Sequence, residues 1–226
     1  RHGALGIEAY RDMGYLPEAL RNYLARLGWA HGDDEFFTSE QAIAWFDLPQ
    51  INKSAARIDF AKMEHINGLH IRAASDSRLA QAAEDLLAAQ HKPRPSPEKA
   101  AAFLEAMPGL KERAKTINEL IDMAYYIFAD RPLEFDEKAE KLLSEDARAM
   151  LARLTSHLRN NTSWTSDVLQ DVARNFAETE GLKLGKVAQP LRAALTGRAV
   201  SPSVFDVMET LGRDESLARL EDAAAG

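Results

Sequence analysis

Residues 181–212 have the sequence GLKLGKVAQPLRAALTGRAVSPSVFDVMETLG, which carries the clearest signals for the fold. Its apolar residues recur at helical spacing, interrupted at Gly181 and at Gly197. Glycine ends helices because it adopts a left-handed backbone conformation without steric cost. The segment therefore predicts two helices joined by a short connection. Pro190 would lie near the first turn of the first helix, and Ser201 would cap the second.

The charge of this segment differs from that of the chain. The whole sequence has 28 Lys and Arg against 35 Asp and Glu, a net charge of −7. Residues 181–205 contain no Asp or Glu, but they contain Lys183, Lys186, Arg192 and Arg198. A polyanion could dock here without meeting like charge. A buried helix pair whose few polar residues happen to be basic is the alternative, and charge alone favours that alternative.

Composition limits the class of protein. Apolar residues make up 46% of the 226 positions, enough for a buried core. There is no cysteine, which excludes disulfides and thiolate metal sites and fits a reducing compartment. No run of 18 apolar residues occurs, so we expect no membrane span, and no cationic-then-apolar signal segment opens the chain. No long alternation of apolar and polar residues occurs, which predicts an all-α fold.

Local signals place several helix ends. Thr38 and Gln41 form a capping-box pattern, and Asp59 is placed to cap a helix that would stop at Asn67 and Gly68. Residues 107–109, Met-Pro-Gly, predict a break before one long helix over residues 110–130. The aromatic residues of that helix suit a core better than a base-stacking platform; they are Tyr125, Tyr126 and Phe128.

The sequence contains little that indicates a catalytic site or a metal site. Gly185-Lys186 lacks both the preceding glycine and the following Ser or Thr of a phosphate-binding loop. His65 and His70 are separated by a spacing that does not place both on one helix face. No strand-turn-helix elbow frames a nucleophilic serine. We expect no catalytic residue and no metal site.

Four stretches carry a family resemblance. KLGKVAQPLRAALTG at 183–197 and SPSVFDVMETLG at 201–212 resemble the last anticodon-binding segment of bacterial-type glutamyl-tRNA synthetases. RHG at 1–3, with AYRDMGYLPEALRNYLARLGW at 9–29, is similar to the segment after that family's KMSKS-type loop. KSAARIDFAKMEHINGLHIR at 53–72 also matches. The matching stretches occur in the same order along the chain as in the family. The resemblance is loosest between residues 80 and 158.

The resemblance implies consecutive small helical bundles. Residues 1–75 would form the stem-contact region, 76–155 the first anticodon-binding bundle and 156–226 the second. The family's catalytic domain, a class I ligase domain that uses ATP and Mg²⁺, is missing, and a start without Met suggests a fragment. We therefore expect no cofactor here and no catalysis by this chain alone. The implied partner is tRNA-Glu, not DNA or a membrane, with a monomeric protein in the cytoplasm.

The resemblance also implies site residues. Anticodon contacts carried over from the family fall on Gln189, Arg192, Ser201, Pro202 and Val204. Phosphate contacts fall on Lys183, Lys186, Arg198, Lys53 and Arg57, with Lys62 and Arg72 as further candidates. The family usually has Thr at position 201 and Leu at position 204, which keeps the hydroxyl here but reduces the apolar contact. The arginine with which the family recognises the third anticodon base cannot be placed, so discrimination between glutamate and glutamine tRNAs stays open.

Three alternatives remain. A helical protein-interaction module could bind an acidic partner through the same acid-free segment. A small hydrolase with an unrecognised site is a weaker hypothesis because the motifs are missing. A glutaminyl-specific parent is disfavoured by the all-helical C-terminal half, since that family carries β-barrels there.

Overall fold

Every regular element in the described residues of the computed structural model, 5–52 and 57–225, is helical, apart from one isolated bridge between Trp29 and Ile51. This confirms the all-α prediction. The helices are α1 Ile7–Asp12, α2 Pro17–Gly28, α3 Ser39–Trp45, α4 Phe60–Ala73, α5 Asp76–Ala89, α6 Pro97–Lys111, α7 Ile117–Met123, α8 Tyr125–Phe128, α9 Glu137–Leu142, α10 Glu145–Arg159, α11 Ser166–Thr179, α12 Leu184–Thr196 and α13 Val204–Ala225. Helix α13 is kinked at Gly212, whose backbone is not helical (φ +76°). A 3₁₀ turn, Leu48–Gln50, precedes α4.

Packing divides the chain into two units, Arg1–Asp122 and Met123–Gly226. The predicted segments 1–75, 76–155 and 156–226 place their boundaries elsewhere. In the second unit α10 packs against α11, α12 and α13, so one bundle spans position 155. In the first unit α5 packs against both α1 and α6, so helices on either side of position 75 share one unit.

The first unit is built around the packing of α2 on α4. Tyr15, Leu20, Tyr23, Met63 and Ile66 form its buried cluster, and removal of this apolar surface from water is what stabilises the pair.

Asn67 lies inside α4 and is fully buried. Its side-chain oxygen accepts the N–H of Leu16 at 2.8 Å, and its amide nitrogen donates to the carbonyl oxygen of Lys115 at 2.5 Å. The prediction that α4 stops at Asn67 and Gly68 is therefore wrong, and the helix continues to Ala73. Tertiary hydrogen bonds use the asparagine that would otherwise end the helix.

The second unit is organised around Arg219, a charged residue only 3% exposed. Its Nη1 donates to the carbonyl oxygens of Tyr126 and Leu195, each at 2.8 Å, and its Nη2 to that of Ala129 at 3.2 Å. Its Nε donates to Glu215 at 2.7 Å. Arg219 thus caps the C-terminal ends of α8 and α12 and ties both to α13.

Local caps agree with the sequence better than helix breaks do. The Thr38–Gln41 capping box and the Asp59 cap are present as predicted. Pro108 lies inside α6 and does not break it, and α7 and α8 are separate helices where one was predicted. Pro108 has no N–H to donate to the carbonyl of Leu104, four residues earlier, and Leu104 is an exposed residue.

The described residues contain no helix long and apolar enough to cross a membrane. They also contain no group of three or more His, Cys, Asp or Glu side chains placed to hold a metal ion.

Candidate nucleic-acid interface

Helix α12 and its N-cap carry four of the predicted site residues. Lys183 is at its N-cap position, and Lys186, Gln189 and Arg192 follow at intervals of three. An α-helix turns by about 100° per residue, so Lys186 and Arg192 are about 120° apart around the axis, with Gln189 between them. The predicted residues therefore face two neighbouring sides of α12.

Pro190 also differs from its predicted position. It lies inside α12, beyond the first turn, and is buried. Lys186, four residues earlier, is exposed, so its free carbonyl can bind water.

One side of α12 borders an open groove of about 980 Å³. Lys183, Lys186 and Gln189 lie along it, all three exposed. Leu142, Met150 and Pro190 contribute apolar surface.

The groove also contains acidic residues, Asp146 and Glu180. Arg153 pairs with Glu180 at 2.7 Å, and this hydrogen bond holds the pKa of Glu180 below its usual value. The acid-free character of the segment in sequence therefore does not extend to its surroundings in space.

The other side of α12 meets the connection that follows it. Arg192 Nε donates to the Ser201 hydroxyl at 3.0 Å, and that hydroxyl donates to the carbonyl oxygen of Pro202 at 2.8 Å. Partial burial lowers the pKa of the Arg192 guanidinium from a very high value, and an arginine remains charged at neutral pH. The hydrogen bond from Arg192 to Ser201 uses Nε. The Nη1 and Nη2 groups of Arg192 carry the donors that suit a forked contact.

Two expectations about this connection are wrong. Helix α13 begins at Val204, and the Val207 N–H bonds to the carbonyl of Ser203, so Ser201 is not its N-cap. Val204 is only 2% exposed and packs in the bundle, so it offers no apolar surface to a base in this structure. Val200, which the sequence did not single out, is 84% exposed. An isolated valine in a connection carries no periodic signal.

Arg198 has neighbours that are distant in sequence. Its guanidinium lies over the ring of Tyr125, 4.5 Å from the ring centre, and its Nη1 is 3.8 Å from a carboxylate oxygen of Asp136. The expectation that the aromatic cluster belongs to the core holds for Tyr126, which is 3% exposed and whose burial raises its pKa to about 12. It does not hold for Tyr125, which is half-buried beneath Arg198.

The remaining phosphate candidates belong to the first unit. Lys53 lies outside the described residues. Arg57 is exposed, Lys62 forms an ion pair with Glu35, and Arg72 is half-buried.

Comparison with protein families gives two matches. Residues 78–224 match the model described as anticodon binding domain. Residues 1–65 match part of the model described as the catalytic domain of class I tRNA synthetases (E and Q).

Curated relatives agree over the whole chain. A glutamate–tRNA ligase 1 of Methylobacterium sp. is 56% identical over 229 residues, which covers 99% of this chain and 48% of the relative. A glutamate–tRNA ligase 2 of Parvibaculum lavamentivorans is 56% identical over 225 residues, covering 100% of this chain and 46% of the relative. The chain thus spans about half the length of the curated relatives it matches.

A solved structure shows the same architecture. The crystal structure of a glutamate tRNA ligase from Elizabethkingia meningosepticum, in complex with its amino acid, superposes with a TM-score of 0.80 at 31% identity. The alignment covers 96% of this chain and 42% of that one. The helical fold, the match over residues 78–224 and the relatives agree: the chain belongs to the anticodon binding domain family, in the form found in glutamate–tRNA ligases.

Proposed function

We propose that this chain is the tRNA-binding, anticodon-recognising part of a glutamate–tRNA ligase. The observation that carries the proposal is the hydrogen bond between Arg192 and Ser201, inside the region that matches the anticodon-binding family. This hydrogen bond holds the guanidinium group of Arg192 beside the connection that leads into α13. The whole protein would attach glutamate to tRNA-Glu with ATP and Mg²⁺ in the cytoplasm. This chain would supply RNA recognition, and it would not catalyse alone.

Recognition of unpaired bases follows from the chemistry of this surface. Bases in a loop can expose their edges to side chains, which bind them by hydrogen bonds or by stacking. Arg192 carries two Nη groups that can donate together to a base edge, and Gln189, one turn earlier, offers both a donor and an acceptor. Pro202 provides half-buried apolar surface at the same connection. Together these residues can distinguish one base from another.

Lys183 and Lys186 would act differently. They are exposed at the N-terminal end of α12, where the free backbone N–H groups of the helix also attract anions. Ammonium groups on flexible side chains neutralise phosphates without recognising sequence. These lysines would hold the RNA backbone while residues at the other end of α12 select the base.

The hypothesis of an acidic protein partner is less well supported. Asp146 and Glu180 line the groove beside Lys183 and Lys186, and they would repel an acidic peptide and an RNA phosphate alike. The match of residues 78–224 to the anticodon-binding family is what favours RNA. A complex with such a peptide, together with no binding to tRNA, would reverse this preference.

The test is the affinity of Arg192→Ala for tRNA-Glu, measured by fluorescence titration. Loss of one forked base contact should weaken binding by about 1–3 kcal/mol. Arg174→Ala is the matched control because it removes the same positive charge. Arg174 is an exposed arginine of α11 that pairs with Asp171. A tRNA panel that differs only in the anticodon should lose its ranking with Arg192→Ala and keep it with Arg174→Ala. Equal effects of the two variants would remove Arg192 from the site.

A further inference from the structure

Arg198 and Tyr125 form a pair at the surface of the second unit. The guanidinium carbon of Arg198 is 4.5 Å from the centre of the Tyr125 ring, within the range of a favourable cation–π contact. The Arg198 side chain nevertheless remains 45% exposed. One side of the guanidinium is therefore covered by the ring while much of the group remains open to solvent.

The backbone beneath this pair is held in place. Gly197 has φ +69°, and a Cβ at this position would lie less than 3.0 Å from the carbonyl oxygen of Glu134. The Asp136 N–H donates to the carbonyl oxygen of Gly197 at 3.0 Å. The turn that carries Arg198 is thus pressed against residues 134–136, which limits the positions that the guanidinium can adopt.

One hydroxyl links this turn to the Arg192 site. Thr196 Oγ1 donates to the carbonyl oxygen of Arg192 at 2.8 Å and accepts the N–H of Arg198 at 3.2 Å. Arg192 lies inside α12 near its C-terminal end, and Arg198 follows in the connection, so this hydroxyl holds the backbone at both positions. The two arginines are close along the chain, so nucleotides that flank a base bound by Arg192 could reach Arg198.

The charge around Arg198 favours a base over a phosphate. The carboxylate of Asp136 is 3.8 Å from Nη1 and offsets the positive charge that a phosphate would need. Stacking of a base on a guanidinium depends on the flat faces of both groups and tolerates a nearby carboxylate better.

We propose that Tyr125 and Arg198 form a stacking platform for one unpaired base of the bound RNA, next to the base contacted by Arg192. This assigns Arg198 to base stacking instead of the phosphate contact expected from the sequence. The assignment rests on the proposed tRNA-binding function. Tyr125 acts as a positioning residue, since it supports the guanidinium that touches the base.

The experiment uses the full chain and a stem-loop RNA with the anticodon arm of tRNA-Glu. Each unpaired loop base is replaced in turn by an abasic site, and affinity is measured by fluorescence anisotropy at several salt concentrations. For the wild type, one position should weaken binding by roughly 5- to 150-fold, the effect of losing one stacked base. Tyr125→Leu and Arg198→Lys should weaken binding of the intact RNA by a similar factor, with no further loss when that base is removed. Both variants keep every positive charge, so the salt dependence should stay unchanged.

The outcomes separate this proposal from the one on which it rests. If Arg198→Lys binds intact RNA like the wild type and Arg198→Ala only reduces the salt dependence, Arg198 contacts a phosphate and the platform is overturned. If both conservative variants lose affinity equally for every abasic RNA, the pair is structural and the platform is again overturned. In either case Arg192→Ala still reports on the proposed function. Absence of any binding of wild-type protein to the stem-loop would overturn both proposals. Thermal melting shows whether each variant is folded. If Tyr125→Leu is unfolded, the Arg198 variants alone test the stacking platform.

Discussion

Replacement of Gly197 by alanine should destabilise the second unit more than an ordinary glycine replacement does. Gly197 has φ +69°, the left-handed region that costs an L-residue about 1–2 kcal/mol. Its missing Cβ position also lies less than 3.0 Å from the backbone oxygen of Glu134, which has no flexible end that could move aside. The alanine must therefore displace the backbone as well as adopt a strained conformation.

The displacement adds a second cost. Moving residues 134–136 away from the turn breaks the 3.0 Å hydrogen bond from the Asp136 N–H to the Gly197 carbonyl. A lost backbone hydrogen bond costs about 0.5–1.5 kcal/mol. Conformational strain and the lost bond together predict a loss of about 1.5–3.5 kcal/mol in the free energy of unfolding.

Gly181 provides the matched control. Its φ is +68°, but a Cβ there would meet no atom within 4 Å. Gly181→Ala should therefore cost only the conformational part, about 1–2 kcal/mol. Urea denaturation followed by circular dichroism measures both variants against the wild type. Equal losses for the two would refute the close approach of residues 134–136 to the turn.

Three further predictions concern other parts of the chain. Arg219→Met removes the donors for two buried carbonyls and one partly buried carbonyl and should cost about 3–5 kcal/mol of unfolding free energy in urea, whereas a loss below about 1 kcal/mol would show that water replaces the guanidinium. Burial lowers the pKa of His70 below its unfolded value of 6.5, so its contribution to stability is complete above pH 6.5 and is lost as the pH falls toward the folded-state pKa. The unfolding free energy of the wild type should then fall more steeply below pH 6.5 than that of His70→Gln, by up to about 1.4 kcal/mol per pH unit, and parallel pH profiles would exclude this effect. Lys183→Ala and Lys186→Ala should each reduce the slope of log affinity for tRNA-Glu against log salt by about 0.7 without changing anticodon preference; an altered preference would place that lysine at a base.

Local interactions explain which helix ends could be predicted from the sequence. The Thr38 side chain accepts the N–H of Gln41, and the Asp59 side chain accepts that of Lys62. Donor and acceptor are three residues apart in each case, so the sequence alone brings them together. The all-helical fold has the same origin, since it depends on apolar spacing within single segments.

The helix ends predicted at Gly181 and Gly197 are present. The breaks predicted at Asn67 and Pro108 are wrong because contacts outside the local sequence decide them. Asn67 was expected to end α4, but its amide bonds to Leu16 and Lys115 and the helix continues. Pro108 was expected to break α6, but it lies inside the helix, and Leu104, whose carbonyl loses its usual N–H partner, is an exposed residue. The residue types were correct signals for turns, and tertiary contacts or solvent provided another way to satisfy the backbone.

The candidate site also has features that the sequence predicted and features that only the packing of the helices decided. The sequence by itself determined an all-helical chain with Gln189 and Arg192 on one helix, because helical spacing is a local property. It also indicated the family, through the resemblance of its matching stretches. Only the tertiary structure buried Val204 and placed Tyr125 and Asp136 around Arg198. Burial and ion pairing depend on which helices pack together, and that packing is set by the whole bundle rather than by any one segment of it.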